Sequence, residues 1–403
     1  MNEMNQTDNY KKELYEELGR ILKFWAAVTP DETNGGFCGK IDNDNQISHR
    51  APKGSVLNAR ILWAFSAAFN QMPDAVYLSR ANRAFQYITR HFIDNEFGGV
   101  YWTVDYKGHP LDTKKQVYAI AFTIYALSEF YKASGIEEAK KRAADLFHLL
   151  VEKAYDPIKT GYFEAFTREW QQIDDLRLSA KDENEKKTMN THLHVLEGYT
   201  NLYRIWPDKM LKTQIETLLR NFFDHFIDPE THHLVLFFDE AWNRKSGLVS
   251  YGHDIEATWL LLEAAEVIED RLMIEKIKKI TTAIANAAIE GIGSDGGLWY
   301  EYEPANDHLV KEKHWWVQAE AMVGFFNAWQ LSGDEKYLKL SLNNWQFVKD
   351  KILDKEKGEW FWGIKEDGGI MPSEDKAGLW KCPYHNSRAC LEIIKRIECL
   401  NHD

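Results

Sequence analysis

Residues 296–302 read GGLWYEY, and this pattern of glycine before apolar and aromatic residues returns along the chain. It stands as GGFCGK from Gly35, FGGVYW from Phe97, TGYFEAF from Thr160 and GEWFWG from Gly358, and HHLVLFF from His232 repeats the apolar run without the glycine. The copies recur every ~60–70 residues, which marks a repeat architecture. Each reads as a short strand with a tight turn.

Apolar residues at i, i+3, i+4 and i+7 mark twelve helical segments between the copies. They begin near Tyr10, Lys53, Asp74, Lys115, Ile136, Met189, Pro207, His253, Asp270, His314, Asp334 and Pro383. Twelve helices in six pairs predict an all-α fold: an (α/α)6 barrel of six inner and six outer helices. Residues 1–403 read as a single barrel domain with catalytic capacity. The turns after the even-numbered helices are short and carry stop signals, in QMPD, ASG, WPD, IED and LSGD. The loops after the odd-numbered helices are long and hold the strands. Loops of that length in a compact domain are usually functional, so the site is expected on that face.

The composition narrows the function. A net charge of −13 with no basic run disfavours nucleic acid and anionic membranes. The N-terminus lacks the apolar core of a signal peptide, and no stretch of ~18 apolar residues spans a membrane. Four cysteines without a CxxC pattern point to a reducing, cytoplasmic setting. The 15 Trp exceed ordinary core needs, and indoles are platforms for sugar rings.

Each even-numbered helix follows a long loop, so its first turns lie at one mouth. VLNARILW brings Arg60 there, and KKQVYAIAF brings Tyr118. MNTHLHVLEGY brings Asn190 and His194, which share a face at i, i+4, while His192 must point elsewhere. SYGHDIEATWLLLEA brings His253 and Glu256, whose i, i+3 spacing lets them touch. A Glu beside a His raises its basicity. KEKHWWVQAEA brings Trp315, Trp316, Gln318 and Glu320, with Trp316 expected to line the cavity and Trp315 to pack away from it. LWKCPYHNSRACLE brings Trp380, Tyr384, His385, Asn386 and Arg388. Polar groups on apolar helices are costly unless they bond each other or a ligand.

A catalytic metal is disfavoured. HxH on a helix sets its imidazoles about 160° apart, and neither HExxH nor a carboxylate cage is present. Neither a phosphate-cradling glycine loop nor GxSxG occurs in the needed context, so no cofactor is expected.

MNTHLHVLE, YGHDIEATWLL, KHWWVQAEA and WKCPYHNSRACLE closely resemble the cellobiose 2-epimerases of the N-acylglucosamine 2-epimerase superfamily. The resemblance spans nearly the whole chain. It implies the (α/α)6 barrel and C2 epimerisation of the reducing-end sugar of a β-1,4-linked disaccharide. It further implies that His253 and His385 are the acid/base pair, with His194 a third histidine and Glu256 the carboxylate paired with His253. Arg60, Tyr118, Asn190, Trp316 and Trp380 match sugar-contacting positions, and Asp182 another. Cys382 stands where many relatives are expected to carry Gly.

The chemistry suits these groups. Ring opening makes the C2 proton acidic, a base removes it, and a proton returns to the other face. Two groups near neutral pKa are needed, and His fits best. Arg60 would hold the developing oxyanion. Three alternatives remain: a monosaccharide N-acylglucosamine 2-epimerase or aldose–ketose isomerase, a glycoside hydrolase using Glu256 and Glu320, and a sugar-binding protein. A small-molecule partner and a monomer or weak homodimer are expected.

Overall fold

The computed structural model describes residues 3–400, with side chains from residue 6. The ends of the expected 1–403 unit, residues 1–2 and 401–403, lie outside the described residues.

The twelve helices are α1 (Glu3–Ala27), α2 (Ser55–Gln71), α3 (Ala75–Tyr87), α4 (Val117–Ser134), α5 (Glu137–Lys153), α6 (Met189–Ile205), α7 (Lys209–Asn221), α8 (Tyr251–Val267), α9 (Arg271–Ala288), α10 (Trp315–Ser332), α11 (Glu335–Phe347) and α12 (Tyr384–Leu400). The even-numbered helices pack in a ring that closes from α12 back onto α2, and an odd-numbered helix backs each one. This is the (α/α)6 barrel that the repeats predict. α4 is buried continuously from Val117 to Phe130. A helix apolar on all sides belongs inside, with protein around it. α7 instead buries one stripe, which includes Leu211, Ile215, Leu218 and Leu219. α1 starts before the expected Tyr10, because a polar first turn precedes the apolar stripe.

The tight turns close one face. Asp74, Asp208, Asp270 and Asp334 cap the helices that follow by accepting backbone N–H bonds. Such caps answer donors that the first turn leaves unpaired. Gly135 and Gly333 end α4 and α10 in the left-handed region, at φ 70° and 69°.

The opposite face differs from the expected set of simple strands. Each Gly/aromatic copy first folds back on the end of the outer helix before it through a single bridge, as in Ile93 with Val100 and Leu353 with Trp360. The paired strands are only two or three residues long. Those at Lys53–Gly54, Lys115–Gln116, Lys187–Thr188, Val249–Ser250 and Lys313–His314 directly precede inner helices, where a helix start had been expected at Lys53, Lys115 and His314. Each pairs with a strand of the next copy, so neighbouring repeats are stitched together around the mouth. Buried lysines fix this edge: Lys115 bonds Asp94 and Lys187 bonds Asp156, each at 2.8 Å.

Candidate active site

A cavity of about 460 Å³ opens at the strand-bearing mouth. All ten sequence-predicted residues line it: Arg60, Tyr118, Asp182, Asn190, His194, His253, Glu256, Trp316, Trp380 and His385. They come from the six inner helices and the long loops. Their convergence follows from the fold, because each inner helix begins at this mouth.

Trp316 packs near two imidazoles. Its ring centroid is 4.8 Å from that of His253 on α8 and 5.7 Å from that of His385 on α12. Gly252 makes the approach possible, since a Cβ there would sit 2.6 Å from the Trp316 ring. Trp315, expected to face away, also borders the cavity while packing on Trp362 at 4.5 Å.

The two imidazoles have unlike partners. His385 Nδ1 is 2.7 Å from Glu320 Oε1 and donates to it. His253 Nδ1 lies 2.8 Å from the Ser250 hydroxyl. The expected His253–Glu256 pair does not form, because Glu256 turns to Arg388, with its Oε1 2.6 Å from Nη2. His194 holds the carboxylate that His253 lacks: its Nδ1 donates to Glu197 Oε2 at 2.9 Å. His192 points out of the site, as expected. Its Nε2 accepts from the Tyr162 N–H at 2.8 Å, and its Nδ1 donates to the Thr188 carbonyl at 2.7 Å.

Burial disfavours the imidazolium form. Burial and the nearby His194 push His253 down to about 3. Burial, then Arg60 and Arg388, pushes His385 well below the ordinary histidine range. Burial also lowers His194, against the pull of Glu197. All three therefore stand neutral at neutral pH. The Glu320 contact at Nδ1 leaves Nε2 of His385 as an available acceptor, while the Ser250 hydroxyl can give a hydrogen bond to Nδ1 of His253 or take one from it.

Arg60 closes the base of the cavity. It donates to the Tyr118 hydroxyl at 2.8 Å, and its guanidinium lies 4.2 Å from the Phe122 ring centroid. Arg60 Nε and Asn190 Oδ1 are buried without a protein partner among the described residues. Unpaired buried polar atoms are costly, so those at a cavity wall point to a polar ligand. Trp380 packs against Trp102 and Tyr118, at 5.7 and 5.8 Å between centroids. Asp182 sits in the loop across the opening and accepts from the Ser179 N–H at 2.8 Å.

Beneath the cavity, Arg388 gathers Glu197, Glu256 and Glu320. Glu256, Glu320 and His385 lie close enough to suggest a metal site. The Arg388 Nη2 already takes the cation position there, at 2.6 Å from both carboxyls.

Sequence reasoning missed the partners Ser250 and Glu197, and the wall residues Glu164, Tyr300, Glu301, His314, Trp362 and Glu374. Glu197 was legible at i, i+3 from His194. Glu164, Tyr300, Glu301 and Trp362 lie in the recurring Gly/aromatic copies, but that spacing does not say which of their side chains face the cavity.

Residues 35–389 match the family model for N-acylglucosamine 2-epimerase, so the chain belongs to that family and is a carbohydrate epimerase or isomerase. Within it, the chain is 50% identical to the cellobiose 2-epimerase of Bacteroides fragilis over 95% of this chain and 98% of that one. The solved cellobiose 2-epimerase of Bacillus thermoamylovorans superposes with a TM-score of 0.91 at 41% identity, covering 96% of this chain and 100% of the other. A solved D-mannose isomerase shares the fold, with a TM-score of 0.83 at 21% identity over 96% and 97% of the two chains.

Proposed function

We propose that this chain inverts C2 of the reducing-end sugar of a β-1,4-linked disaccharide, such as cellobiose or mannobiose, without a cofactor. The observation that carries the reading is Trp316 packed near His253 and His385 from different inner helices. Trp316 supports the C–H face of the reacting sugar, and Trp380 supports the second ring. The cavity of about 460 Å³ suits two rings and favours a disaccharide over a monosaccharide.

The sugar opens to its aldehyde, and Nε2 of one histidine takes the C2 proton. The C2–H electron pair moves into the C1–C2 bond, and charge gathers on O1, facing Arg60. A proton drawn from solvent then returns to C2 from the other side through Nε2 of the second histidine, and the first histidine releases the proton it took to solvent. The unlike partners divide the work. Glu320 stabilises His385 as an imidazolium, as a carboxylate behind an imidazole does. His253, held only by a hydroxyl, stays the weaker base. His194 assists ring opening and closing. Tyr118, Asn190 and Asp182 orient hydroxyls.

The hydrolase alternative needs two carboxyls facing a scissile bond. Glu320 is instead taken up by His385, Trp259 and Arg388. Four cysteines free of disulfides among the described residues support a reducing, cytoplasmic setting. No helix among those residues is long and apolar enough to cross a membrane.

The test is incubation of EDTA-treated protein with cellobiose or mannobiose in D₂O, followed by NMR at C2. Glucosyl-mannose or mannosyl-glucose carrying deuterium at C2, with no free monosaccharide, is the expected result. Conversion of mannose or N-acetylglucosamine alone would overturn the substrate, and free glucose would overturn the reaction.

A further inference from the structure

Three carboxyls face one guanidinium beneath the cavity. Arg388 Nη2 is 2.6 Å from Glu256 Oε1 and 2.6 Å from Glu320 Oε1, while Nη1 meets Glu197. Were all three ionised, the cluster would hold two uncompensated negative charges in a buried site. Carboxylates this close do not all ionise.

The donors decide which one holds the proton. Glu197 accepts from His194, from the Tyr384 hydroxyl and from Arg388. Glu320 accepts from His385, from Trp259 Nε1 at 3.1 Å and from Arg388. Glu256 accepts from Arg388 alone. Each donor favours the ionised form, so Glu256 is the least supported as an anion. Of the three, only Glu256 borders the cavity. The groups around it are Arg388, Tyr384 and His385 on α12, Glu320 on α10, Glu197 and His194 on α6, Arg60 on α2, Tyr118 on α4 and His253 one turn earlier on α8.

Resting on the epimerase reading above, we infer that Glu256 is a neutral carboxylic acid at neutral pH and donates a hydrogen bond to the substrate oxygen that gains charge when C2 is deprotonated. The acid keeps its proton throughout. It acts beside Arg60, and its worth lies in facing the enediolate as a donor where a carboxylate would repel it. A dry site crowded with negative charge is what keeps a carboxylic acid neutral for this purpose. Burial and the neighbouring Glu320 push Glu256 up to about 8, in accord with the geometry. Turnover should therefore fall as pH rises through that value, when the donor is lost.

The experiment compares the wild type with Glu256→Gln and Glu256→Ala. An infrared difference spectrum between the wild type and Glu256→Gln should contain a carboxylic-acid carbonyl band at neutral pH that vanishes at alkaline pH. Glu256→Gln keeps a donor, so it should lose roughly tenfold or less in kcat and lose the alkaline fall. Glu256→Ala should lose about 10²–10³-fold, the usual cost of one oxyanion donor. Absence of the acid band would overturn the inference, as would Glu256→Gln losing as much as Glu256→Ala with the alkaline fall intact. The band is read on the folded wild type, so a poorly folding variant does not rescue the idea. Failure of the epimerase reading has a different signature, no deuterium at C2 of either disaccharide with the wild type.

Discussion

Replacing Arg388 with Met removes the cation among three carboxyls, each about 1% exposed. Methionine keeps most of the volume and leaves the anions without their partner. Removing one member of a buried ion pair costs about 3–5 kcal/mol, because the remaining charge stays desolvated. The unfolding midpoint should fall by several degrees near neutral pH. The loss should depend on pH in a definite sense. Burial alone would raise Glu197, but Arg388 and then His194 overcome it and hold that carboxyl at about 2. A folded value below the unfolded one of about 4.3 adds stability at neutral pH that is lost as pH falls. Without Arg388, burial dominates and the folded value rises above the unfolded one. The variant then suffers most at alkaline pH and recovers as its carboxyls protonate. Thermal and denaturant unfolding of both proteins between about pH 5 and about pH 8.5 reads this directly. A stability gap that stays constant over that range, or a variant as stable as the wild type at the alkaline end, would refute the reasoning.

Three further outcomes follow from the same geometry. Glu320→Gln removes the carboxylate behind His385 and should lower kcat by ~10²-fold or more, since the tautomer and the imidazolium lose support; a loss confined to KM would contradict it. Gly252→Ala pushes a methyl into the Trp316 ring and should raise KM and lower kcat with the fold retained, checked by steady-state kinetics and circular dichroism; unchanged kinetics would mean Trp316 has no part in positioning the sugar. Burial holds His253 and His385 neutral, so the acid limb of kcat/KM should lie below the ordinary histidine value of about 6.5; a limb at that value in a pH–rate profile would contradict the enclosed site.

Much of this protein was written in local pattern. The 3.6-residue apolar period marked twelve helices, the aspartate and glycine stops marked the tight face, and the repeat spacing gave the barrel. Once inner helices were known to start at one mouth, their polar first turns named Arg60, Tyr118, His194, His253, Trp316 and His385. The loop wall was not legible in this way. Glu301 reaches the cavity through a strand that pairs with Val249–Ser250, and the repeat that contains it does not say which of its side chains face the cavity.

The carboxylates mark the boundary between the two kinds of information. His194 with Glu197 and His253 with Glu256 share the same i, i+3 spacing on inner helices, yet only the first pair bonds. Glu197 can serve both partners, giving one oxygen to His194 and the other to Arg388, 191 residues away. Glu256 is drawn to Arg388 from 132 residues away, and His253 settles on Ser250. Sequence spacing fixes which side chains share a helix face. Which of them meet across a closed ring depends on how each helix is rotated and how far it is shifted along its axis, and those are set by packing among all six inner helices at once.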